Sequence, residues 1–210
     1  YMSSGQGYSG SQDPLSAGNG SIMRLAPIAL FYFSAPEKCV MWCGDSSKTT
    51  HAAKEAVDAC KYMGILIHGA IKGASKSELT TQLYSPSNGF WDDKDLSTSI
   101  VSLALNSHKK SRHEIKSTGY VIDTLEAAIW AFYNSSSFED GAILAANLAG
   151  DADTVAAVYG QIAGAFYGEH NISPDWIKRL SHSHIFYHYA NELLRFGLCD
   201  MARLMHDPKR

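Results

Sequence analysis

A short acidic turn carries the side chains of this 210-residue sequence that are best suited to chemistry. Asp151, Asp153 and Thr154 follow directly after Gly150. Two neighbouring carboxylates repel each other unless a proton, a cation or hydrogen-bond donors lie between them. Oxygen ligands of this kind suit a hard cation such as Mg²⁺, and less often Ca²⁺ or Mn²⁺. The residues alone leave two interpretations open: a divalent-cation site, or an acidic cap in which Asp151 or Asp153 satisfies a helix start.

The segment after the acidic turn is apolar and carries no charge up to position 168. Small residues recur in it near every fourth position: Ala156, Gly160, Ala163, Gly164 and Gly168. Such a strip lets a second helix approach closely. The pattern predicts a central, buried helix that starts at the acidic turn.

A second polar turn lies near the start of the sequence, at Gly18, Asn19, Gly20 and Ser21. A helix is expected over residues 21–33, interrupted or started by Pro27. Glycines on both sides of Asn19 leave backbone N–H groups open to an anion or a sugar. The same residues also fit a simple turn with positive φ angles.

Two further site residues stand at predicted helix starts. Apolar residues at helical spacing predict a helix over residues 49–71, with Thr49 and Thr50 as caps. His51 would then lie in its first turn and face a pocket or solvent. Tyr120 stands just before a helix predicted at Val121–Tyr133, where packing in the core is the favoured interpretation.

The remaining chain also reads as helices, and no convincing alternating strand pattern or Asn-Gly hairpin is present. A capping box of Ser75 and Glu78 predicts a short helix over residues 75–83. Ser173 and Pro174 mark another helix start. Further helices are predicted over residues 95–107, 138–147, 183–196 and 198–205, with Gly197 closing the third of these. The expected architecture is a compact, all-α multi-helix bundle.

Composition and charge exclude several classes of protein. A net charge of −3 argues against a nucleic-acid-binding surface. No run of about 18 apolar residues is present, so no membrane span is expected. The four cysteines Cys39, Cys43, Cys60 and Cys199 are interpreted as reduced residues of a cytoplasmic protein. His184, His188 and Glu192 share a helix face, but a polar surface is a better interpretation there than zinc.

Taken together, these elements resemble the ADP-ribosylglycohydrolases, all-helical enzymes related to dinitrogenase reductase-activating glycohydrolase. The acidic turn and the small-residue helix are similar to the family's C-terminal signature. Residues 18–24, from Gly18 through Met23 and Arg24, resemble its G-N-G-x-x-M-R element, and Thr50-His51 resembles its T-H element. Residues 118–132 resemble the helix before the acidic turn. The resemblance spans residues 17–170 in the family's order.

The resemblance implies Mg²⁺-dependent hydrolysis of the glycosidic bond between ADP-ribose and an acceptor, which is an ADP-ribosylated protein or small molecule. Asp151, Asp153 and Thr154 are expected to bind Mg²⁺, with Mn²⁺ as an alternative and two ions in a complete site. The ligand-binding residues implied are Gly18, Asn19, Gly20, Ser21, His51 and Tyr120. The resemblance assigns no catalytic acid or base within this sequence.

The sequence departs from the family in one respect. Members carry G-D-x-x-G and Thr-Asp-Asp elements before the G-N-G turn, and neither is present in the eighteen residues before Asn19. Residues 1–210 are therefore expected to form one domain that is either the C-terminal part of a longer protein or a degenerate relative. Weak metal affinity and little hydrolase activity are expected for this chain alone. An inactive ADP-ribose-binding protein and a structural, crystallin-like protein are the alternatives.

Overall fold

A computed structural model describes the backbone of residues 7–206 and the side chains of residues 7–199. Within these ranges the fold is all-α, as predicted, and its extended contacts are two isolated bridges, Ser11 with His51 and Gly18 with Tyr120. The α-helices are α1 (Ala26–Phe31), α2 (Pro36–Lys48), α3 (Lys54–Ile71), α4 (Lys76–Thr80), α5 (Thr98–Asn106), α6 (Val121–Tyr133), α7 (Phe138–Ala146), α8 (Ala152–Tyr167), α9 (Pro174–Arg179) and α10 (Ser183–His206). Short 3-10 turns lie at Pro14–Ser16, Asn19–Arg24, Ser107–Lys109, Arg112–Glu114 and Glu169–Asn171.

Three helices form the centre of the bundle. α3 is buried along most of its length between Ala56 and Ala70, where most residues are apolar and the buried Asp58 is paired with Lys54 and Lys61. α6 is buried from Thr124 to Phe132. α8 buries the face that carries Tyr159, and α3 packs against both α6 and α8. The starts of α6 and α8 are the two points from which the polar site is built.

The small-residue strip of α8 does not produce the close helix approach that its pattern predicts. A Cβ placed on Gly160 would have no neighbour within 4 Å, and one on Gly164 would reach only the ring of Phe138 at 4.0 Å. The close approaches lie at other glycines. A Cβ on Gly64 would stand 2.6 Å from Cys43 Sγ, and one on Gly141 would stand 2.2 Å from the Tyr159 hydroxyl. The prediction of a buried α8 is confirmed for one face only, which carries mainly Val155, Val158, Tyr159 and Ile162.

Several local predictions agree with the structure. α6 has the bounds expected for it. The capping box at the start of α4 is formed, because Ser75 Oγ accepts from the Glu78 N–H while the Glu78 carboxylate accepts from Ser75. Pro27 lies in the first turn of α1, so the alternative in which this proline starts a helix agrees with the structure. These features depend on neighbours within about one helical turn.

The predicted start of α3 is wrong. The helix begins at Lys54, and Thr49 instead ends α2. Both threonine hydroxyls accept from the Arg24 guanidinium, at 3.2 Å for Thr49 and 2.9 Å for Thr50. His51 therefore lies in a link between two helices, and not in a first helical turn.

Gly197 does not close a helix, so the prediction of two separate C-terminal helices is also wrong. α10 is continuous through Gly197. A Cβ at this position would lie 2.0 Å from the carbonyl oxygen of Phe31. The glycine permits α10 to cross α1 at backbone contact, and this role cannot be distinguished from a helix stop by local sequence.

The sequence-based predictions about membrane spans, cysteines and a zinc site can be compared with the described residues. None of their helices combines the length and the apolar character that crossing a bilayer requires. Cys39, Cys43 and Cys60 are buried free thiols, and Cys199 is exposed. In the range 7–199, no group of three His, Cys, Asp or Glu side chains is arranged to hold a metal, and this includes His184, His188 and Glu192.

Candidate functional site

The G-N-G turn and the acidic turn meet directly, although they lie far apart in the sequence. Asn19 Nδ2 donates to Asp151 Oδ2 at 2.6 Å and to Thr124 Oγ1 at 2.8 Å. Asn19 is only 9% exposed, and Thr124 is fully buried. The Asn19 amide therefore lies between the start of α6 and the start of α8, and its two hydrogen bonds fix its orientation.

One segment, residues 117–121, positions both turns through its backbone. On one side, the Asn19 N–H donates to the Gly119 carbonyl at 3.1 Å. On the other side, the Asp151 N–H donates to the Ser117 carbonyl at 3.3 Å. Thr124 Oγ1, which accepts from Asn19, donates to the Thr118 carbonyl at 2.9 Å. Displacing this segment would move Asn19 and Asp151 together.

Gly150 is required by this arrangement for two reasons. Its φ angle is +60°, in the left-handed region that favours glycine. A Cβ at Gly150 would also lie 2.1 Å from the Ser117 carbonyl oxygen. The glycine thus lets the acidic turn approach the 117–121 segment closely enough for the Asp151 N–H to bond with it.

Asp151 occupies the N-cap position of α8 but does not cap the helix with its side chain. Its Oδ1 accepts from Thr154 Oγ1 at 2.8 Å, and its Oδ2 accepts from Asn19. The capping interpretation is therefore wrong for Asp151. Its carboxylate is oriented by two neutral side chains.

The three predicted metal ligands differ in exposure. Asp151 is half-buried, Thr154 is 5% exposed, and Asp153 is exposed in the first turn of α8. The turn thus supplies two carboxylates and a hydroxyl, all of them hard oxygen donors. Asp151 and Thr154 are in contact with each other, and Asp151 joins them to the G-N-G turn.

His51 lies against the G-N-G turn. A Cβ on Gly20 would stand 2.9 Å from His51 Cε1, and one on Gly18 would stand 3.5 Å from His51 Nε2. The two glycines therefore leave space for the imidazole. Its Nδ1 is 2.9 Å from Thr50 Oγ1. Burial, and secondly the positive charge of Arg24, hold the pKa of His51 below its usual value, so that the ring is mainly neutral at pH 7.

Arg24 is a site residue that the sequence-based assignment missed. Its Nη1 donates to Ser46 Oγ at 2.9 Å, and its Nη2 donates to the hydroxyls of Thr49 and Thr50. These bonds place a permanent positive charge beside His51. The signal was present, because Arg24 belongs to the same G-N-G-x-x-M-R element.

The Ser21 hydroxyl faces the interior of the protein. Ser21 is 1% exposed, and its Oγ accepts from Ser47 Oγ at 2.9 Å and from Cys60 Sγ at 3.4 Å. Ser47 Oγ also bonds to the His51 carbonyl, at 2.8 Å. The Ser21 side chain therefore supports the turn from beneath, and its backbone is the part that lies with Asn19 and Gly20.

Tyr120 borders the site and is 38% exposed. Its backbone bridges Gly18, and its hydroxyl donates to the Glu55 carboxylate. Ser99 donates to the other carboxylate oxygen of Glu55. Burial, and secondly the hydrogen bond to Glu55, raises the pKa of Tyr120 to about 12. Glu55 carries no motif signal, and only the fold brings it to Tyr120.

Comparisons with known proteins identify relatives of this chain. The family model of ADP-ribosylglycohydrolase matches residues 2–206. The chain is 40% identical over 194 residues to an ADP-ribosylarginine hydrolase, Tri1, of Pseudomonas putida (strain GB-1), covering 92% of this chain and 50% of that protein. It is 27% identical over 164 residues to the ADP-ribosyl-[dinitrogen reductase] glycohydrolase of Rhodospirillum rubrum, covering 78% and 51%.

A solved structure gives the same result. A chain of an ADP-ribosylglycohydrolase-related protein complex superposes with a TM-score of 0.83 at 36% identity, covering 94% of this chain and 66% of that one. The chain spans about half the length of the curated relatives that it matches. Its matched sequence and its all-α fold show that it belongs to the ADP-ribosylglycohydrolase family.

Proposed function

We propose that this site acts in hydrolysis of the glycosidic bond between ADP-ribose and an acceptor. The observation that carries the proposal is the contact of Asn19 with Asp151, which joins the two polar turns into one site. Glycosidic cleavage passes through an oxocarbenium-like state at the anomeric carbon. A rigid pair of amide and carboxylate groups is suited to fixing ribose hydroxyls near that carbon.

Asp151, Asp153 and Thr154 would hold the Mg²⁺ ion that we propose for the site. The fit rests on donor chemistry, because all three residues offer oxygen atoms and the donors to Asp151 are neutral. When bound, such an ion supplies positive charge that orients the sugar hydroxyls. A second ion in a complete site, and Mn²⁺ in place of Mg²⁺, belong to the same proposal.

The residues around His51 would receive the diphosphate. The backbone N–H group at Gly20 and the neutral imidazole of His51 are donors suited to phosphate oxygens, whereas the Gly18 N–H already donates to the Ser16 carbonyl at 2.8 Å. Arg24 adds a fixed positive charge next to them. Tyr120, on the other side of Gly18, would line the ribose end of the ligand.

Arginine is the acceptor that we propose. The support comes from the relative named ADP-ribosylarginine hydrolase, which is 40% identical to this chain. The substrate would be an ADP-ribosylated protein or a small ADP-ribosylarginine compound. A cytoplasmic location remains part of the proposal.

The binding step can be tested with the chain itself by titration calorimetry with ADP-ribose in MgCl₂. We expect binding, and a loss of affinity of at least about tenfold in Asp151→Asn. Asp175→Asn, an exposed carboxylate change on α9, is the matched control and should bind as the unaltered chain does. No binding of ADP-ribose by the unaltered chain would refute the proposal.

The turnover step requires a separate assay with ADP-ribosyl-arginine. We expect little or no turnover by this chain alone. Turnover should appear when the chain is joined to the part of the Pseudomonas putida relative that it does not cover. Binding without turnover in the joined protein would contradict hydrolysis and favour an inactive ADP-ribose-binding relative, and the absence of both would favour a structural protein.

A further inference from the structure

The sequence contains two Asn-Gly pairs, Asn19-Gly20 and Asn88-Gly89. An asparagine that precedes glycine is prone to deamidation, because glycine lacks the Cβ that would shield its backbone nitrogen. That nitrogen attacks the side-chain carbonyl carbon of the asparagine, and its proton leaves with the amide nitrogen as ammonia. Water then opens the resulting cyclic imide at either carbonyl, which yields aspartate or isoaspartate. Both pairs are therefore candidate sites of covalent modification.

The Asn88-Gly89 pair is accessible in the folded chain. It lies in the loop between α4 and α5, and both of its residues are exposed. The chain turns here, since the Phe90 N–H donates to the Ser87 carbonyl at 3.3 Å and Gly89 has a φ angle of +71°. An exposed surface turn opens at a low cost in free energy. Attack on the Asn88 side chain can therefore proceed while the helices remain folded.

The Asn19-Gly20 pair lies in the opposite surroundings. Asn19 is 9% exposed, and its amide nitrogen, which is the atom that must leave, donates to Asp151 Oδ2 and Thr124 Oγ1. Its backbone N–H donates to the Gly119 carbonyl at 3.1 Å. A buried group of this kind reacts only when the surrounding structure opens. Each hydrogen bond that must break lowers the open fraction, by about fivefold for an ordinary bond.

Deamidation would have different consequences at the two pairs. An aspartate or isoaspartate in place of Asn19 would put a second carboxylate against Asp151, and adjacent carboxylates repel each other. The junction between the G-N-G turn and the acidic turn would then lose a hydrogen bond and gain a repulsion. At Asn88 the same change adds a negative charge to an exposed loop that already carries Asp92 and Asp93. That loop contributes no residue to the junction.

We propose that Asn88 is the deamidation site of the folded chain, and that the bonds of Asn19 to Asp151 and Thr124 protect Asn19 from the same reaction. The two pairs share the same local chemistry and differ in burial and in bonding, so the fold decides which of them reacts. Water is the co-reactant, and ammonia is the leaving group. The inference is independent of the proposed function, because it concerns the covalent stability of the junction and not the ligand.

The experiment ages the unaltered chain at mildly alkaline pH, well below its melting temperature. Peptide mapping by mass spectrometry follows both pairs, because deamidation replaces an NH group by an oxygen atom. Asn88 should convert to aspartate and isoaspartate, and Asn19 should convert at least about tenfold more slowly. In urea that unfolds the chain, the two pairs should convert at similar rates. Equal rates in the folded chain, or a slow Asn19 that persists in urea, would overturn the inference.

Matched controls assign the protection to a named contact. Thr124→Val removes one acceptor of the Asn19 amide and should accelerate conversion at Asn19 about fivefold, with Asn88 unchanged. Thr80→Val is the control for a lost buried hydroxyl, because Thr80 bonds to the Lys76 carbonyl outside the two turns. An unchanged Asn19 in Thr124→Val, or equal acceleration in both variants, would contradict protection by this contact.

An in-chain control tests the requirement for glycine. Asn191 is exposed but precedes glutamate, so it should convert far more slowly than Asn88. Conversion of Asn191 at the rate of Asn88 would overturn the assignment of Asn88 as the site, because exposure alone would then explain the reaction.

The same measurement keeps the inference separate from the proposed function. ADP-ribose with MgCl₂ should slow the residual conversion at Asn19 further and leave Asn88 unchanged, because a ligand that binds the closed site reduces its open fraction. Protection of Asn19 without any effect of ADP-ribose would support the inference and count against the proposed function. Equal conversion at the two pairs without ligand, followed by slowing at Asn19 on addition of ADP-ribose, would overturn the inference and support the function.

Discussion

Asn19 and Asp151 are separated by 132 positions in the sequence, yet Asn19 Nδ2 lies 2.6 Å from Asp151 Oδ2. The bond is partly buried, and the same amide nitrogen also donates to the fully buried Thr124. A charge-assisted hydrogen bond in such surroundings is stronger than one between neutral groups in water. The two polar turns therefore form one unit, which is held by this amide and by the backbone of residues 117–121.

Asn19→Ala should both destabilise the fold and abolish ADP-ribose binding. Removing the amide leaves the Asp151 carboxylate and the Thr124 hydroxyl each with one fewer donor, so we expect a loss of about 1–3 kcal/mol in the free energy of unfolding. Chemical denaturation and calorimetry measure the two effects. Asn171→Ala, which removes an exposed amide that bonds to Tyr167, is the control and should change neither by much. Unchanged ligand affinity in Asn19→Ala would contradict the proposed site.

Gly150→Ala should be more destabilising than a strained φ angle alone can explain. The left-handed angle costs about 1 kcal/mol for alanine, and the new Cβ would also meet the Ser117 carbonyl oxygen at 2.1 Å. Gly73→Ala provides the control, since its φ is +84° and no atom lies within 4 Å of the added Cβ. If thermal unfolding showed equal losses of stability for Gly150→Ala and Gly73→Ala, the close contact between residue 150 and Ser117 would be contradicted.

Gly197→Ala should weaken the attachment of α10 to α1. The added Cβ would lie 2.0 Å from the Phe31 carbonyl oxygen, so the two helices would have to separate. Gly160→Ala, also inside a helix but with open space around it, should instead stabilise the protein by about 0.5–1 kcal/mol. Opposite changes in melting temperature are expected. A stabilising Gly197→Ala would be inconsistent with this crossing.

Glu55→Gln should lower the pKa of Tyr120 from about 12, because it removes the carboxylate that hydrogen-bonds and repels the phenolate. The pKa should remain above the ordinary value of 10, since burial is the largest cause of the shift. NMR of ¹³C-labelled tyrosine measures the titration. Glu169→Gln should lower the pKa of Tyr187 and leave Tyr120 unaffected. An unaltered Tyr120 titration in Glu55→Gln would argue against their contact.

The raised pKa of Tyr120 also predicts how stability depends on pH. A group whose pKa is higher in the folded state stabilises the fold below its unfolded pKa, and this contribution is lost as the pH rises through the folded pKa. The window for Tyr120 is therefore from 10 to about 12. Glu55→Gln should narrow the pH range over which the contribution of Tyr120 to stability is lost. Measuring the free energy of unfolding at several alkaline pH values tests this.

Arg24→Gln should raise the pKa of His51, but not above its ordinary value of 6.5, because burial remains as the larger cause of the shift. His68, whose pKa is lowered by burial and by Lys72, is an internal control and should not change. Histidine NMR titration gives both values. A lower pKa for His51 in the variant would contradict the placement of the guanidinium.

The sign of the His51 effect follows from the same linkage. Its folded pKa is depressed, so the stability associated with its neutral form is present above the unfolded pKa of 6.5 and is lost as the pH falls through the folded pKa. Removing the positive charge of Arg24 reduces the difference between the folded and the unfolded pKa of His51. The loss of stability on acidification that is due to His51 should therefore be smaller in Arg24→Gln.

The sequence by itself determined the all-α class, the family and the identity of the two polar turns. It also determined local features such as the bounds of α6 and the capping box of Ser75 and Glu78. These features depend on residues within about one helical turn, where spacing and side-chain type decide the backbone.

Only the tertiary structure decided which distant groups meet. The contacts of Asn19 with Asp151 and of Glu55 with Tyr120 join residues on different helices and turns. The position of His51 in a link depends on Arg24 holding the threonines before it. Gly197 permits a crossing with α1, although its local sequence favours a helix stop. Local propensity is weak compared with the packing and hydrogen bonding of a whole fold, and those contacts have no periodic signal in the sequence.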